Sequence, residues 1–402
     1  MTPASDRAPG LELGNNVERL IDFARAAADS PIGFGHLDST GGVDDSRAPS
    51  VLITSRMTFS FAIGSELGLP GCAELAERGV TSLARDFHDS THGGFFSTPP
   101  DFGGDGTKSA YDTTFVLLAA STARAIGTPG AEAVARKALD ALLQHFWRDD
   151  LGIFANGFDR AFSEPEPYLG ANANMHAVEA LIAASRALSD ASLTERALEI
   201  SNFMINTHAR AFDWMLPEHF HPDGTVDKQF NVDTPADEFR PYGVTIGHLF
   251  EWSRLLLEIQ HSGVPGTEWI PEAASALYAT AKDRGWAADG KEGFVYTLDW
   301  EGTPVVDDRL MWVVAEAISA AAQMSHSGLS ETADTDVSAW SAHLHERFRD
   351  EVHGSWHHQL DADGQPASNI AQGKPDAYHL LHALLIPQVP QDSGLLWRVR
   401  GR

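Results

Sequence analysis

Apolar residues recur at helical spacing through most of the chain, and short Gly-bounded turns interrupt them. The spacing predicts helices near 16–30, 51–69, 71–88, 109–127, 129–148, 172–188, 192–208, 241–262, 267–285, 309–325, 331–351 and 376–386. Strand signals are confined to the turns, so a doubly wound sheet is ruled out. The turns themselves recur, at His92-Gly93-Gly94-Phe95-Phe96, Leu151-Gly152-Ile153-Phe154, Pro222-Asp223-Gly224, Glu292-Gly293-Phe294-Val295-Tyr296 and His353-Gly354-Ser355-Trp356, spaced roughly 60 to 70 residues apart.

The segments alternate in character. Two charged residues fall in 109–127 (Asp112, Arg124), two in 172–188 (Glu179, Arg186) and two in 309–325 (Arg309, Glu316). Their partners are more polar, with five in 129–148 and eight in 331–351. A helix that is apolar nearly all round is buried, and one with a polar face lies outside. Even-numbered segments therefore form an inner ring and odd-numbered ones an outer ring. Six such pairs predict an all-α fold, an (α/α)6 barrel with short β-hairpins at one end. It forms a single domain over 1–402, with a flexible N-terminal segment over 1–15. An open solenoid of helical hairpins has the same periodicity; unequal repeat lengths and the lack of a polar capping repeat favour closure.

The chain of 402 residues carries 29 Lys+Arg against 56 Asp+Glu, a formal charge of −27. No basic block offsets it, which argues against nucleic acid or an anionic membrane as partner. An apolar share of 43% suffices for a large core. The single cysteine, Cys72, excludes an internal disulfide and a thiolate metal cluster. With no secretory signal in the first residues and no long apolar run, a cytoplasmic location is the expectation.

Parallel inner helices would open all their N-termini on one end of the barrel. Polar residues cluster near those starts: Arg56, Tyr111, Asn172, His176, Arg240, His248, Trp312, Glu316 and His379. Singly, each reads as a core residue: His176 among Ala173, Met175, Ala177 and Val178, or His248 and Glu251 as a structural pair three apart. Convergence on one end is what makes them a site.

His379 and His382 are also three apart, but no HExxH occurs. Glu218-His219-Phe220-His221 is only superficially similar, and no metal is expected. Nor do GxSxG or GxGxxG appear, so no cofactor is expected either. Two histidines on opposite inner helices suit proton transfer near neutrality. Paired carboxylates would indicate a glycosidase, but the inner-ring positions favour His, Arg and Asn. Isomerisation or epimerisation of a sugar is therefore ahead, with glycoside hydrolysis and a non-catalytic helical module as rivals.

Four stretches carry a resemblance. Ser55-Arg56-Met57-Thr58, Gly170 to Ala180 (GANANMHAVEA), Arg240-Pro241-Tyr242-Gly243 through Gly247-His248-Leu249-Phe250-Glu251-Trp252, and Gly373 to His379 (GKPDAYH) resemble, in order, the N-acylglucosamine 2-epimerase superfamily and within it the mannose and sulfoquinovose isomerase branch. The resemblance implies a metal-free sugar isomerase acting on a monosaccharide. His248 and His379 would be its acid/base pair, and Arg56, Tyr111, Asn172, His176, Arg240 and Glu251 its sugar-binding residues, joined by Trp312 and Glu316. His248, oriented by Glu251, would open the ring, and His379 would move a proton between C2 and C1 through a cis-enediol. Mannose to fructose comes first, with lyxose to xylulose as a side activity; sulfoquinovose isomerisation and 2-epimerisation follow.

Overall fold

A computed structural model describes residues 9–402, with side chains from Asn15 onward. Six inner helices, α2 (Val51–Glu66), α4 (Ala110–Ala125), α6 (Ala171–Leu188), α8 (Ile246–His261), α10 (Met311–His326) and α12 (Tyr378–Leu385), alternate with six outer ones. The outer helices are α1 (Pro9–Ala24), α3 (Cys72–Ser82), α5 (Ala131–Ala141), α7 (Ser192–Ser201), α9 (Ile270–Gly285) and α11 (Ala333–His343). Each inner helix packs on its inner neighbours, and α12 touches both α10 and α2, so the ring closes. The solenoid alternative fails on that contact. A short helix α13 (Leu395–Arg400) lies against α2 and α12. Of the flexible segment expected over 1–15, residues 1–8 lie outside the described residues, and α1 begins at Pro9.

Composition explains the two rings. Inner helices are buried on nearly every face and rich in Ala, Ser and Thr, whose small side chains let six helices meet around one axis. Outer helices bury one stripe, as α5 does with Ala131, Val134, Ala135, Ala138 and Leu139. Gly79 of α3 shows how close the rings approach: a Cβ there would meet Thr58 Oγ1 at 1.8 Å.

The loops that follow outer helices buckle the repeats together. Dipeptides at the inner-helix starts pair antiparallel with dipeptides one repeat later: Lys108–Ser109 with Gly157–Phe158, Leu169–Gly170 with His219–Phe220, Val244–Thr245 with Thr297–Leu298, and Arg309–Leu310 with Gln359–Leu360. The first N–H of each inner helix except α12 then donates to a loop carbonyl: Val51 to Ser97, Ala110 to Asn156, Ala171 to Glu218, Ile246 to Tyr296 and Met311 to His358, at 2.9–3.1 Å. These bonds satisfy donors that a helix start leaves orphaned. They also fix the side chains of the five acceptor residues at the end of the barrel where the helices begin. Among the described residues, no helix is long and apolar enough to cross a membrane.

Candidate active site

Position along the inner helices decides which side chains reach the axis. Tyr111, Asn172, Trp312 and His379 are second in their helices; Arg56, His176, Glu251 and Glu316 are sixth, and His248 is third. Second and sixth positions lie four apart and share one helix face, so they stack as two tiers. All but Glu316 line one cavity of about 430 Å³, within the range of about 300–1,000 Å³ usual for small-molecule sites. Loops add His36, Arg47, Glu238, Phe239, Tyr296, His358, Gln372 and Asp376 to its wall.

Two His–Glu pairs face this cavity. His248 Nδ1 lies 2.9 Å from Glu218 Oε1, and His379 Nδ1 lies 2.9 Å from Glu316 Oε1, all four residues buried. A carboxylate on Nδ1 selects the tautomer with the proton there and leaves Nε2 as the basic nitrogen. Trp312 stands between the two imidazoles, its ring 5.3 Å from His248 and 5.6 Å from His379, centroid to centroid. Gly247 makes room for that indole, since a Cβ at 247 would meet it at 2.2 Å.

Arg56 forms one wall. Its Nη2 donates to Tyr111 Oη at 3.1 Å, its Nη1 lies 3.5 Å from Asp376 Oδ2, and its guanidinium covers the Phe115 ring at 4.5 Å. Asp376 also accepts from the His379 backbone N–H at 3.0 Å, which caps the start of α12. His176 packs edge-on to Tyr111, and burial, reinforced by Arg56, holds its pKa well below the usual imidazole value. It is a neutral hydrogen-bonding group. Around the cavity Arg56 Nε, Asn172 Oδ1, His176 Nδ1, Glu251 Oε2, His36 Nδ1 and His358 Nε2 are buried without a partner among the described residues. Buried polar atoms need partners, and a polyhydroxylated ligand supplies both donors and acceptors.

Three expectations are corrected. Glu251 does not orient His248: it lies 3.6 Å from His176 Nδ1 and 3.4 Å from Arg254, because three residues along α8 carry it one turn deeper, while Glu218 reaches His248 from the loop. Burial and then the neighbouring Glu316 push the Glu251 pKa well above the ordinary carboxylate value, against the pull of Arg254. Glu316 is behind His379 rather than on the cavity wall; burial would raise it, but Arg254 and the His379 contact bring it down to about 2. Arg240 lies outside the main cavity. Since α8 starts at Ile246 and not at 241, Arg240 stays on the loop, where it pairs with Glu166 at 2.6 Å and stacks over Tyr168. There it lines a second hollow of about 560 Å³, which shares Tyr111, Asn172 and Phe239 with the first.

Carboxylates are also more numerous here than the inner-ring reading held. Glu179, Glu251, Glu258 and Glu316 surround the fully buried Arg254 at 3.1–3.6 Å. Two groups, His176–Glu179–Glu251 and Glu251–Glu316–His379, bring their potential metal-ligating atoms within 4.8 Å of one another. The cation these carboxylates gather around is the guanidinium of Arg254. Glu218 was the residue sequence reasoning missed. Its signal was its register, immediately before a strand dipeptide that pairs with the start of α6, and not the Glu-His pattern it sits in.

Comparison with known proteins places these features in context. The sequence profile described as N-acylglucosamine 2-epimerase matches residues 33–383. A D-mannose isomerase of Thermobifida fusca is 42% identical over 381 residues, 94% of each chain. Another, from Pseudomonas cannabina pv. alisalensis, is 39% identical over 392 residues, covering 96% of this chain and 94% of the relative. A crystal structure of a D-mannose isomerase superposes with a TM-score of 0.85 at 26% identity, over 96% of this chain and 99% of that one.

Proposed function

The chain belongs to the N-acylglucosamine 2-epimerase family, and from that premise we propose that it is an aldose–ketose isomerase interconverting D-mannose and D-fructose. The observation that carries the mechanism is the presence of two buried His–Glu pairs, one on each side of the helix that carries Trp312, in one sugar-sized cavity. The full-length likeness to D-mannose isomerases supplies the substrate.

Mannose enters as a closed ring. His248, its Nδ1 proton held by Glu218, takes the C1 hydroxyl proton at Nε2 and returns a proton to the ring oxygen, giving the open aldehyde. His379, held in the same way by Glu316, removes the C2 proton. The electron pair moves into a C1–C2 double bond, and the carbonyl oxygen takes up negative charge. That oxygen is stabilised by the Arg56 guanidinium and by the positive ends of the inner helices. The C2 hydroxyl proton passes to the C1 oxygen, His379 delivers its proton to C1 and the C2 oxygen becomes the carbonyl, so the ketose forms with no net change in protons. One base serves both carbons because C1 and C2 present the same face in a cis-enediol.

Glycoside hydrolysis calls for two carboxyl groups flanking the bond about 5–10 Å apart. Here Glu218 and Glu316 sit behind histidines, and of the carboxyl groups on the cavity wall Asp376 is held by Arg56 and the His379 N–H and Glu251 by Arg254. Incubation of the pure protein with D-mannose in D2O, with products resolved by NMR, tests the reading. Fructose carrying deuterium at C1 is the expected product. Label confined to C2 of an aldose would mean 2-epimerisation, and absence of any conversion would overturn the assignment.

A further inference from the structure

Beneath the cavity, Arg254 of α8 is completely buried and reaches no substrate-facing surface. Its Nε donates to Glu316 Oε2 at 3.1 Å, its Nη1 to Glu258 Oε1 at 3.3 Å and its Nη2 to Glu251 Oε1 at 3.4 Å, while Glu179 Oε1 lies 3.6 Å from Nη1. Each of three of these carboxylates continues to another group. Glu316 holds His379, Glu251 lies against His176, and Glu179 accepts from Tyr378 and contacts His382 at 3.1 Å. The fourth, Glu258, is shared with Arg398 of α13 at 3.3 Å, and Arg398 in turn donates to Gln323 of α10. One guanidinium thus joins α6, α8 and α10 under the reacting groups and is braced by the end of the chain.

We infer that Arg254 is the positioning residue of this site, the fork that holds Glu316 and through it fixes His379 for proton transfer between C2 and C1. The inference rests on the isomerase reading above. A planar fork suits this place better than a lysine, because Nε and the two Nη atoms address separate acceptors at fixed angles. Glu316 has two oxygens, and the structure divides them: Oε2 to Arg254, Oε1 to His379. Rotation of the carboxylate away from Arg254 would therefore swing the oxygen that holds the imidazole. The charged and titratable groups facing the Glu316–His379 pair are Arg254 and Glu251 on α8, Asp376 before α12 with Arg56 of α2 behind it, His382 on α12, His176 on α6 and His358 on the loop before α12. Arg254 is the cation in direct contact with Glu316.

The test is Arg254→Met and Arg254→Lys in the full chain, with kcat and KM measured separately from pH 5 to 9. Loss of the cation lets the Glu316–His379 pair take up a proton more readily, whichever partner holds it. The Met variant is expected to lose about 10²-fold in kcat, with KM within about threefold, and the acidic limb of kcat/KM is expected to move to higher pH by roughly one unit. Combining it with Glu316→Gln should cost little beyond Glu316→Gln alone, since both act through one contact. If the Met variant does not fold, Arg254→Lys decides. It keeps the charge and loses the fork, so kcat falls about tenfold with the limb unmoved. A folded Met or Lys variant with the wild-type kcat and pH profile overturns the inference. Following the His379 imidazole by NMR, assigned against His379→Gln, reads the same shift without turnover. Failure of the isomerase reading would show in the wild type, whereas failure of this inference shows only in the variants.

Discussion

Substitution of Glu218 by Gln separates the structural assignment of the ring-opening pair from the one the sequence suggested. The carboxylate lies 2.9 Å from His248 Nδ1, and both side chains are buried, with relative exposures of 3% and 6%. Gln keeps the shape and an acceptor oxygen but removes the charge. A hydrogen bond to a charged group contributes about 1.5–3 kcal/mol, against about 0.5–1.5 kcal/mol for a neutral one. The imidazolium formed as His248 takes the hydroxyl proton is then about 1–2 kcal/mol less stable. That corresponds to a fall in kcat of roughly 5- to 30-fold. Glu218→Ala also leaves Nδ1–H buried without an acceptor, an added cost of about 1–3 kcal/mol, and should lose on the order of 10²–10³-fold. Glu218 itself does not line the cavity, so KM should stay within about twofold. Initial rates of fructose formation from mannose, with circular dichroism to establish folding, provide the measurement. A folded Glu218→Gln protein with the wild-type kcat would refute the reasoning and return the orienting role to Glu251.

Three further outcomes are expected. Gly247→Ala forces the Trp312 ring off α8; overpacking costs about 1–3 kcal/mol of stability, and kcat should fall at least about tenfold as the wall between His248 and His379 shifts, both measurable by thermal melts and initial rates. Asp112 has its carboxyl pushed up to about 6, chiefly by burial, with the Ser97 hydroxyl and Arg56 opposing. A raised carboxyl pKa destabilises the fold above that pH and costs nothing below the unfolded value near 4. Asp112→Asn should therefore raise stability by about 1–2 kcal/mol at pH 8 and leave it unchanged at pH 4, as read from denaturant midpoints. Dialysis against EDTA should leave kcat unaltered, because Arg254 already occupies the centre of the carboxylate group that could collect a cation; loss of activity restored by a divalent metal would contradict this.

Ring order was legible in the sequence because it is a property of composition. A helix such as α4 with one charged residue near each end can only be inside, and α5 with Glu132, Arg136, Lys137 and Asp140 exposed along one face can only be outside. Tier positions were legible as well: Arg56, Tyr111, Asn172, His176, Trp312 and His379 all reach the cavity they were expected to share. What escaped was everything set by backbone pairing across repeats. Glu218 is 30 residues from His248 in sequence, and no helical period connects a loop residue to the helix that follows it. Arg240 was misplaced by a helix boundary, since the five residues before Ile246 form a turn and a strand dipeptide rather than the first turn of α8. The buried acids were undervalued for a related reason. Glu179, Glu251, Glu258 and Glu316 fall on three different helices, and no spacing in the sequence shows that they converge on Arg254.

The carbonyls of Ser97, Asn156, Glu218, Tyr296 and His358 hold the inner helices by their first N–H groups, and a carbonyl is indifferent to the side chain beside it. These five positions are therefore sockets: the main-chain bond forms whatever residue is inserted, while the inserted group stands at the end of the barrel where the helices begin. Tyr296 and His358 already line the main cavity, and Ser97 and Asn156 line the hollow next to it. Catalytic inventiveness and fold maintenance are thus encoded on different atoms of the same residues. A barrel built this way can be diversified one socket at a time, by natural selection or by a randomised library, and it need not be redesigned around each new sugar.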